Sequence, residues 1–151
     1  MENHKAQYRS AQPADIANLG KLFDEYRMFY RQASSREQAN DFIRQRVENG
    51  DSRIILAILG DEIVGFTQLY PSFSSVSMKR LWILNDLYVV ESARKHGAGR
   101  GLLSAASDFA KKDGAKGLIL ATEHSNVTAQ ALYEKFGFLK DNSFHHYYHY
   151  F

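Results

Sequence analysis

Three β-rich runs followed by a glycine-rich helix start constrain the fold of this chain more than any other feature. Residues 52–59 (SRIILAIL) and 63–70 (IVGFTQLY) flank the short polar stretch GDE, and RLWILNDLYVV follows at 80–90. Runs rich in β-branched and aromatic residues that are joined by polar turns predict antiparallel strands. Apolar residues then recur at helical spacing over 98–112, so a helix is predicted to begin within RKHGAGRGLL, residues 94–103.

The other predicted elements complete a β-α-α-β-β-β-α-β-α-β order. Residues 71–79 (PSFSSVSMK) are predicted as a loop between two strands. The spacing of apolar residues predicts further strands at 6–11, 117–122 and 143–151, and further helices at 14–30, 35–48 and 126–136. The fold class is therefore α/β (α+β), with one domain over residues 1–151. We expect a mixed, mainly antiparallel sheet of six to seven strands flanked by about four helices.

Composition excludes several classes of function. The chain has 151 residues, enough for one domain with its own core, and no cysteine. Disulfides, thiolate metal sites and a cysteine nucleophile are therefore excluded, and a cytoplasmic location is expected. No apolar run approaches the ~20 residues of a membrane span, and the first residues do not read as a signal peptide. The net charge of +2 argues against a nucleic-acid partner.

The glycine-rich turn predicts an anion site, because backbone N–H groups and the positive helix dipole meet at a helix start. A phosphate-binding P-loop is poorly supported, since no Lys-Ser or Lys-Thr follows the glycines. A dinucleotide-binding turn is a partial match through Gly97, Gly99 and Glu123. However, Leu102 stands where the third glycine or alanine belongs, and the turn comes late in the chain, so this interpretation is weaker.

A third interpretation joins two segments of the sequence. Arg94, Gly97 and Gly99 form R-x-x-G-x-G within LNDLYVVESARKHGAGRGLL, and NVTAQALYEKFGF follows at 126–138. The pair, in this order and at this separation, resembles the two signatures of the GNAT superfamily of acyl-CoA N-acyltransferases. The resemblance covers most of the chain. It implies the GNAT-like fold and an acetyl-CoA-dependent N-acetyltransferase that needs no metal.

The resemblance also implies where acetyl-CoA binds. The turn would hold the pyrophosphate on its backbone N–H groups, with nearby basic side chains adding charge-assisted contacts. The strand before it would line the pantetheine arm, and the N–H near Val89 would polarise the thioester carbonyl. The implied cofactor residues are Leu87, Tyr88, Val89, Arg94, Lys95, His96, Gly97, Ala98, Gly99, Arg100, Gly101, Asn126 and Tyr133.

Amide formation from a thioester needs a proton acceptor for the amine and a donor for the leaving thiolate. The resemblance implies Tyr133 as the donor. Asp86 and Glu123 are candidates for the acceptor, and Asp86 is the favoured one because it directly precedes the implied thioester-binding stretch. The alternatives are structural: a half-buried helix tyrosine for Tyr133, and for Asp86 a carboxylate held by a backbone N–H or by Arg80. Asn126 is either a helix cap or a pantetheine contact.

The acceptor is expected to be a small-molecule primary amine. Phe29 and Tyr30, near the end of the first long helix, and Asp86 are the candidate substrate-binding residues, whereas Tyr26 is assigned to the core. The histidines of the last strand lack a third ligand, so no metal site is expected. Its aromatic surface suits a homodimer contact, and no membrane partner is expected. Two alternatives remain: an acyl-CoA-binding sensor without turnover, and a nucleotide-binding oxidoreductase.

Overall fold

A five-stranded mixed sheet in the order β1-β2-β3-β4-β5 organises most of the chain. The computed structural model describes residues 5–151, and Ala121 ends the first of two units, with Thr122–Phe151 as the second. Neighbouring strands are antiparallel except β4 and β5, which are parallel. The strands are β1 (Gln7–Ser10), β2 (Arg53–Leu59), β3 (Glu62–Ser74), β4 (Lys79–Val89) and β5 (Gly117–Ile119). The predicted single domain over 1–151 stays a prediction.

Three helices belong to the sheet unit and one to the second unit. The first is preceded by a short 3-10 turn at Pro13–Asp15. They are α1 (Ile16–Phe29), α2 (Arg36–Asn49), α3 (Ala98–Lys112) and α4 (Val127–Phe136). All four lie within two residues of the predicted boundaries, because their apolar spacing and terminal residues are local signals.

The core lies between the sheet and its helices. One cluster joins α1 and α2 to β2 and β3 through Leu19, Ile43, Leu56 and Phe66, which are fully buried. On α3, Leu102 and Leu103 are fully buried as predicted, and the helix contacts β2, β3, β4 and β5. Because α3 connects the parallel strands β4 and β5, its first turn follows directly beyond the carboxyl end of β4.

The start of α2 is held without a serine side-chain cap. Ser35 stands at the N-cap position but makes no side-chain cap bond. Instead Ser34 Oγ and the Ser35 N–H donate to the two carboxylate oxygens of Asp24, at 2.6 and 2.8 Å. The connection between α1 and α2 is therefore held by a carboxylate of α1, which the local pattern at 34–35 does not reveal.

Two strand predictions need correction. Most of the predicted loop at 71–79 is strand, because β3 continues to Ser74 and β4 begins at Lys79, leaving a turn at 75–78. Residues 143–151 form no strand, and the described residues hold five strands rather than six to seven. Ring contacts such as Tyr148–Tyr150 and His149–Phe151 are those of an extended segment. It lacks the hydrogen-bonded neighbour that defines a strand.

Candidate active site

The turn before α3 leaves backbone donors unused by the helix. Gly97 occupies the N-cap position with φ 81°, a left-handed conformation that glycine adopts without strain, and Lys95 is also left-handed at φ 69°. The N–H of Gly101 donates to Gly97 O at 2.9 Å, so the intrahelical ladder starts there. The N–H groups of Ala98 and Gly99 precede the ladder, which is the position from which the start of a helix binds an anion.

Gly101 has a packing role, and its place among the cofactor-binding residues stays a prediction. A Cβ at this position would overlap the ring and hydroxyl of Tyr8 on β1. Because its N–H is also used within the helix, Gly101 offers no donor to a phosphate. The space around Gly97, by contrast, is open. The start of α3 therefore fits a pyrophosphate through Gly97 to Arg100, with the exposed Lys95, His96 and Arg100 alongside.

Arg94 connects the end of β4 to the end of α1. Its Nε donates to Val89 O at 2.8 Å. Its guanidinium lies 5.6 Å from the ring centre of Tyr88 and 5.8 Å from that of Phe29. Arg94, which was predicted to bind the cofactor, thus contacts Phe29, which was predicted to bind the acceptor amine. The structure therefore brings the predicted cofactor and acceptor residues together.

The second half of β4 has an edge that β5 does not cover. β5 pairs only with Leu81–Ile83, whereas β3 pairs with β4 as far as Val89. Within residues 5–121 no strand pairs with the outer edge of 84–89, which includes the predicted groove residues Leu87, Tyr88 and Val89. Such an edge keeps backbone N–H and C=O groups for a ligand. This is the geometry that the pantetheine prediction requires.

Asp86 lies on this part of β4, and it is buried, with 4% of its surface exposed. Gln68 Nε2 donates to its Oδ2 at 2.8 Å and Asn85 Nδ2 to its Oδ1 at 3.1 Å, and the Tyr26 hydroxyl also bonds to the carboxylate. Burial raises the pKa of Asp86, although these three neutral donors oppose the rise. A carboxylate whose pKa is raised in this way is suited to accept a proton near neutral pH.

A β-bulge gives Asp86 its position. Gln68 stands opposite Asp86, but the next residue of β3, Leu69, stands opposite Leu84, so Asn85 is the extra residue. A bulge re-aims the side chains beside it. The alternative partner Arg80 is excluded, because its Nε lies 3.2 Å from Asp113 Oδ2.

Aromatic rings continue from the core to the surface beside Asp86. The Tyr26 ring centre lies 5.7 Å from that of Phe66, 6.1 Å from that of Tyr88 and 5.1 Å from that of Tyr30. Phe29, which is exposed, contacts Tyr30 at 5.3 Å. The predicted acceptor residues are therefore linked to Asp86 through Tyr26, which the sequence assigned to the core alone.

Tyr70 is a further group that sequence reasoning missed. Burial and the nearby charge of Asp86 raise the pKa of Tyr70 to about 12, with Asp51 adding to the rise and Arg46 opposing it. Its phenol therefore stays protonated at neutral pH. The sequence offered one signal that this strand lies beside a polar site. The polar pair Thr67-Gln68 interrupts the apolar run IVGFTQLY, and buried polar groups need partners.

The second unit carries the remaining predicted residues. Asn126 caps α4, its Oδ1 accepting from the Ala129 N–H at 3.2 Å, which confirms the helix-cap interpretation. Tyr133 is half-buried and its ring centre lies 5.8 Å from that of Phe138. The Glu123 side chain is exposed. The catalytic role of Tyr133 and any pantetheine contact of Asn126 stay predictions.

Residues 5–151 hold neither a cluster of metal ligands nor a membrane-spanning helix. They hold no group of three or more His, Asp or Glu side chains placed to bind a metal ion. No helix among them has both the length and the apolar character for crossing a membrane.

Comparison with known sequences identifies what the chain resembles. The sequence model of the acetyltransferase (GNAT) family matches residues 19–138. The chain is 54% identical to the uncharacterized N-acetyltransferase YhfO of Bacillus subtilis, covering 92% of this chain and 93% of that protein. It is 30% identical to the D-amino-acid N-acetyltransferase HPA3 of Saccharomyces cerevisiae, covering 93% and 89%.

Solved structures give the same answer for the fold. A probable acetyltransferase superimposes with a TM-score of 0.92 at 38% identity, covering 96% of this chain and 97% of the other. An aminoglycoside acetyltransferase from a soil metagenomic sample superimposes with a TM-score of 0.84 at 17% identity, covering 99% and 98%. At that identity the second likeness concerns the fold alone.

Proposed function

Because the chain belongs to the acetyltransferase (GNAT) family and is an acetyl-CoA-dependent N-acetyltransferase, we propose that its acceptor is the primary amine of a small molecule such as an amino acid or polyamine. The amine attacks acetyl-CoA directly in a ternary complex, since the chain has no cysteine to carry an acyl group. The observation that carries the proposal is Asp86, a buried carboxylate held by neutral donors on the uncovered half of β4.

The residues around α3 suit the cofactor. The N–H groups of Ala98 and Gly99 bind the pyrophosphate, with Lys95 and Arg100 supplying positive charge. The β4 edge at Leu87–Val89 binds the pantetheine arm, and an N–H near Val89 donates to the thioester carbonyl. Acetyl-CoA itself supplies the activated acetyl thioester.

Proton transfers complete the reaction. Asp86 accepts a proton from the incoming ammonium, directly or through one water, which leaves the amine lone pair free to attack. The new C–N bond forms as the C–S bond breaks. As the amide forms, its nitrogen loses a second proton to solvent. Tyr133 gives its proton to the departing thiolate and recovers one from solvent, and Asp86 releases its proton to solvent. One proton is thus released overall, and charge and atoms balance.

A compact acceptor suits the residues near Asp86. Phe29 and Tyr30 provide an aromatic surface on which an ammonium or an apolar side chain can rest. Only Asp86 among the proposed acceptor residues carries a negative charge, which argues for a monoamine over a long polycation. The relative that acetylates D-amino acids supports an amino acid as one such acceptor.

The remaining partners are also proposals. The exposed aromatic residues of 143–151 support a homodimer through this segment, and Tyr147 and Tyr150 are 89% and 83% exposed. Sedimentation at several concentrations tests it: a dimer that Tyr147→Ser weakens is expected, and a monomer throughout contradicts it. We further propose a cytoplasmic location, which the absence of cysteine from the sequence supports. We propose no nucleic-acid partner, since the net charge is only +2, and no membrane partner, since no apolar run approaches the ~20 residues of a membrane span.

Calorimetry followed by an amine screen tests the function. The protein is titrated with acetyl-CoA, CoA and NADPH, and thiol release is then measured with a panel of amino acids, monoamines and polyamines. We expect binding of acetyl-CoA but not NADPH, and thiol release with compact amines. Binding without release from any amine would favour an acyl-CoA sensor, and preferential NADPH binding would favour an oxidoreductase.

A matched pair of variants locates the cofactor within that experiment. Gly99→Glu puts a bulky negative charge beside the phosphates and is expected to weaken acetyl-CoA binding by a factor of about a hundred or more. Ser104→Glu adds the same charge at an exposed position further along α3 and is expected to change affinity by no more than a few-fold. Equal affinities in the two variants would contradict the phosphate site.

A further inference from the structure

Gln68 is a fully buried polar side chain in the middle of β3. A buried amide is costly unless its donors and acceptor are satisfied, so its presence calls for a structural reason. The amide lies between two partners: Ser52 Oγ, which donates to Oε1 at 2.9 Å, and Asp86 Oδ2, which accepts from Nε2 at 2.8 Å. The three residues form one hydrogen-bonded chain.

The Asp86 carboxylate only accepts hydrogen bonds when ionised, so it determines that Nε2 is the end of the amide that faces it. The Ser52 hydroxyl donates to Oε1 and so holds the other end of the amide in place. The flipped amide would put a carbonyl oxygen against Asp86 and lose that bond. The neighbouring Thr67 Oγ1 donates to the backbone oxygen of Asp86 at 2.8 Å, which fixes the strand at the same point.

We propose that Gln68 is a positioning residue that keeps Asp86 ionised and aimed as the proton acceptor, and that Ser52 acts through Gln68 by holding the far end of its amide in place. This inference rests on the proposed function, because it needs Asp86 to accept the proton of the amine. It assigns catalytic consequence to two residues that need not touch the substrate.

Other groups around Asp86 determine the direction of the effect. Tyr26 from α1 and Asn85 from β4 also donate to the carboxylate, so removing Gln68 leaves it with fewer donors but not bare. Tyr70 on β3 is the titratable group whose pKa Asp86 raises. Loss of a donor to the ionised form raises a carboxyl pKa. The acidic limb of kcat/KM then moves to higher pH.

The experiment compares four variants in the full-length protein. Gln68→Met removes the amide at similar volume, Ser52→Ala removes the hydroxyl that donates to Oε1, Ser52→Thr restores a hydroxyl, and Ser104→Ala is an exposed control. The pH profile of kcat/KM for the amine is measured at saturating acetyl-CoA. The Asp86 carboxyl is titrated in parallel by carbon-13 NMR, which needs no activity.

We expect the acidic limb and the Asp86 titration to move upward together by about one pH unit in Gln68→Met. The shift should be smaller in Ser52→Ala and largely reversed in Ser52→Thr, with acetyl-CoA affinity unchanged throughout. If Gln68→Met fails to fold, the Ser52 pair still decides. An unmoved Asp86 titration in the folded variants would overturn the hydrogen-bonded chain. A moved titration with an unmoved rate profile would overturn Asp86 as the proton acceptor, and the proposed function with it.

Discussion

Asp24 and Asp86 are equally covered, each with 4% of its surface exposed, yet their pKa values are displaced in opposite directions. Hydrogen bonds from Ser34 and Ser35 lower the pKa of Asp24, with Arg27 and Arg36 adding to the effect. Burial raises the pKa of Asp86, whose donors are all neutral. The Asp24 carboxylate stabilises the connection between α1 and α2, whereas burial disfavours the ionised form of Asp86.

If Asp86 is the proposed proton acceptor, this contrast separates a structural acid from a functional one. A protein keeps a carboxylate in an unfavourable environment when the reaction needs its basicity, so raised pKa values concentrate at active sites. The surroundings agree with this division: Asp24 closes the α1–α2 connection, whereas Asp86 stands where β5 no longer covers β4.

The largest effect is expected from Asp86→Asn, which removes the charge and keeps the shape. We expect kcat/KM to fall by a factor of about 10² to 10⁴, the usual contribution of a general base. Acetyl-CoA affinity should stay within a few-fold, because the phosphate donors lie at the start of α3. Steady-state kinetics with calorimetry measures both. Unchanged turnover would make Asp86 a second structural acid and end the contrast.

The sequence predicts the helix starts better than it predicts the surroundings of Asp86. The start of α3 and the cap of α4 are local: Gly97 and Asn126 adopt the conformations their residue types favour, a few residues from the groups they serve. Asp86 was recognised only as a candidate. Its donors Gln68 and Tyr26 come from other elements, and Asn85 enters as a bulge that no spacing rule announces.

Strand errors have the same cause. The hairpin and β4 follow from alternating and apolar runs, but the length of β5 and the state of 143–151 depend on a neighbouring strand. Pairing partners are set by tertiary structure, so an extended aromatic segment is predicted as a strand whether or not a partner exists. Hydrogen bonds between side chains of different elements, such as the bond from Ser52 to Gln68, cannot be predicted from the sequence for the same reason.

Tyr133→Phe sharpens the contrast by testing the proposed proton donor. We expect kcat to fall by about tenfold, less than for Asp86→Asn, because a thiolate is a good leaving group even without assistance. The acidic limb of the pH profile should stay, because the proposal assigns that limb to Asp86. Tyr148→Phe, at an exposed position, is the control. A rate unchanged at every pH would remove Tyr133 from the mechanism.

Asp24→Ala tests the structural side of the contrast. Losing the bonds to Ser34 and Ser35 should reduce the free energy of unfolding by about 2 kcal/mol, or roughly 4–8 °C in Tm for a domain of this size. Turnover of the folded enzyme should change little. Asp41→Ala is matched to it: Asp41 is exposed and pairs with Arg44 at 2.6 Å, and its loss should cost less than about 0.5 kcal/mol. A large loss of turnover in folded Asp24→Ala would contradict a purely structural role for Asp24.

The smallest expected effect is on the pH dependence of the free energy of unfolding. It tests most directly the opposite pKa shifts of Asp24 and Asp86. Asp24 has a folded pKa below the ordinary 3.8, so its stabilisation is present above that value and is lost as pH falls through the folded pKa. Asp86 has a folded pKa above 3.8, so the folded state binds the extra proton. Its ionisation therefore destabilises the fold increasingly as pH rises from about 4 through the folded pKa.

Urea unfolding of the wild type, Asp24→Asn and Asp86→Asn across pH 3 to 8 measures these slopes. The free energy of unfolding of the wild type should exceed that of Asp24→Asn by less as the pH is lowered. Relative to Asp86→Asn, the free energy of unfolding of the wild type should decrease as the pH rises. Slopes of the same sign would mean that both carboxylates are stabilised by the fold. Asp86 would then lack the raised basicity that distinguishes a proton acceptor from a structural acid, even if its removal lowered the rate.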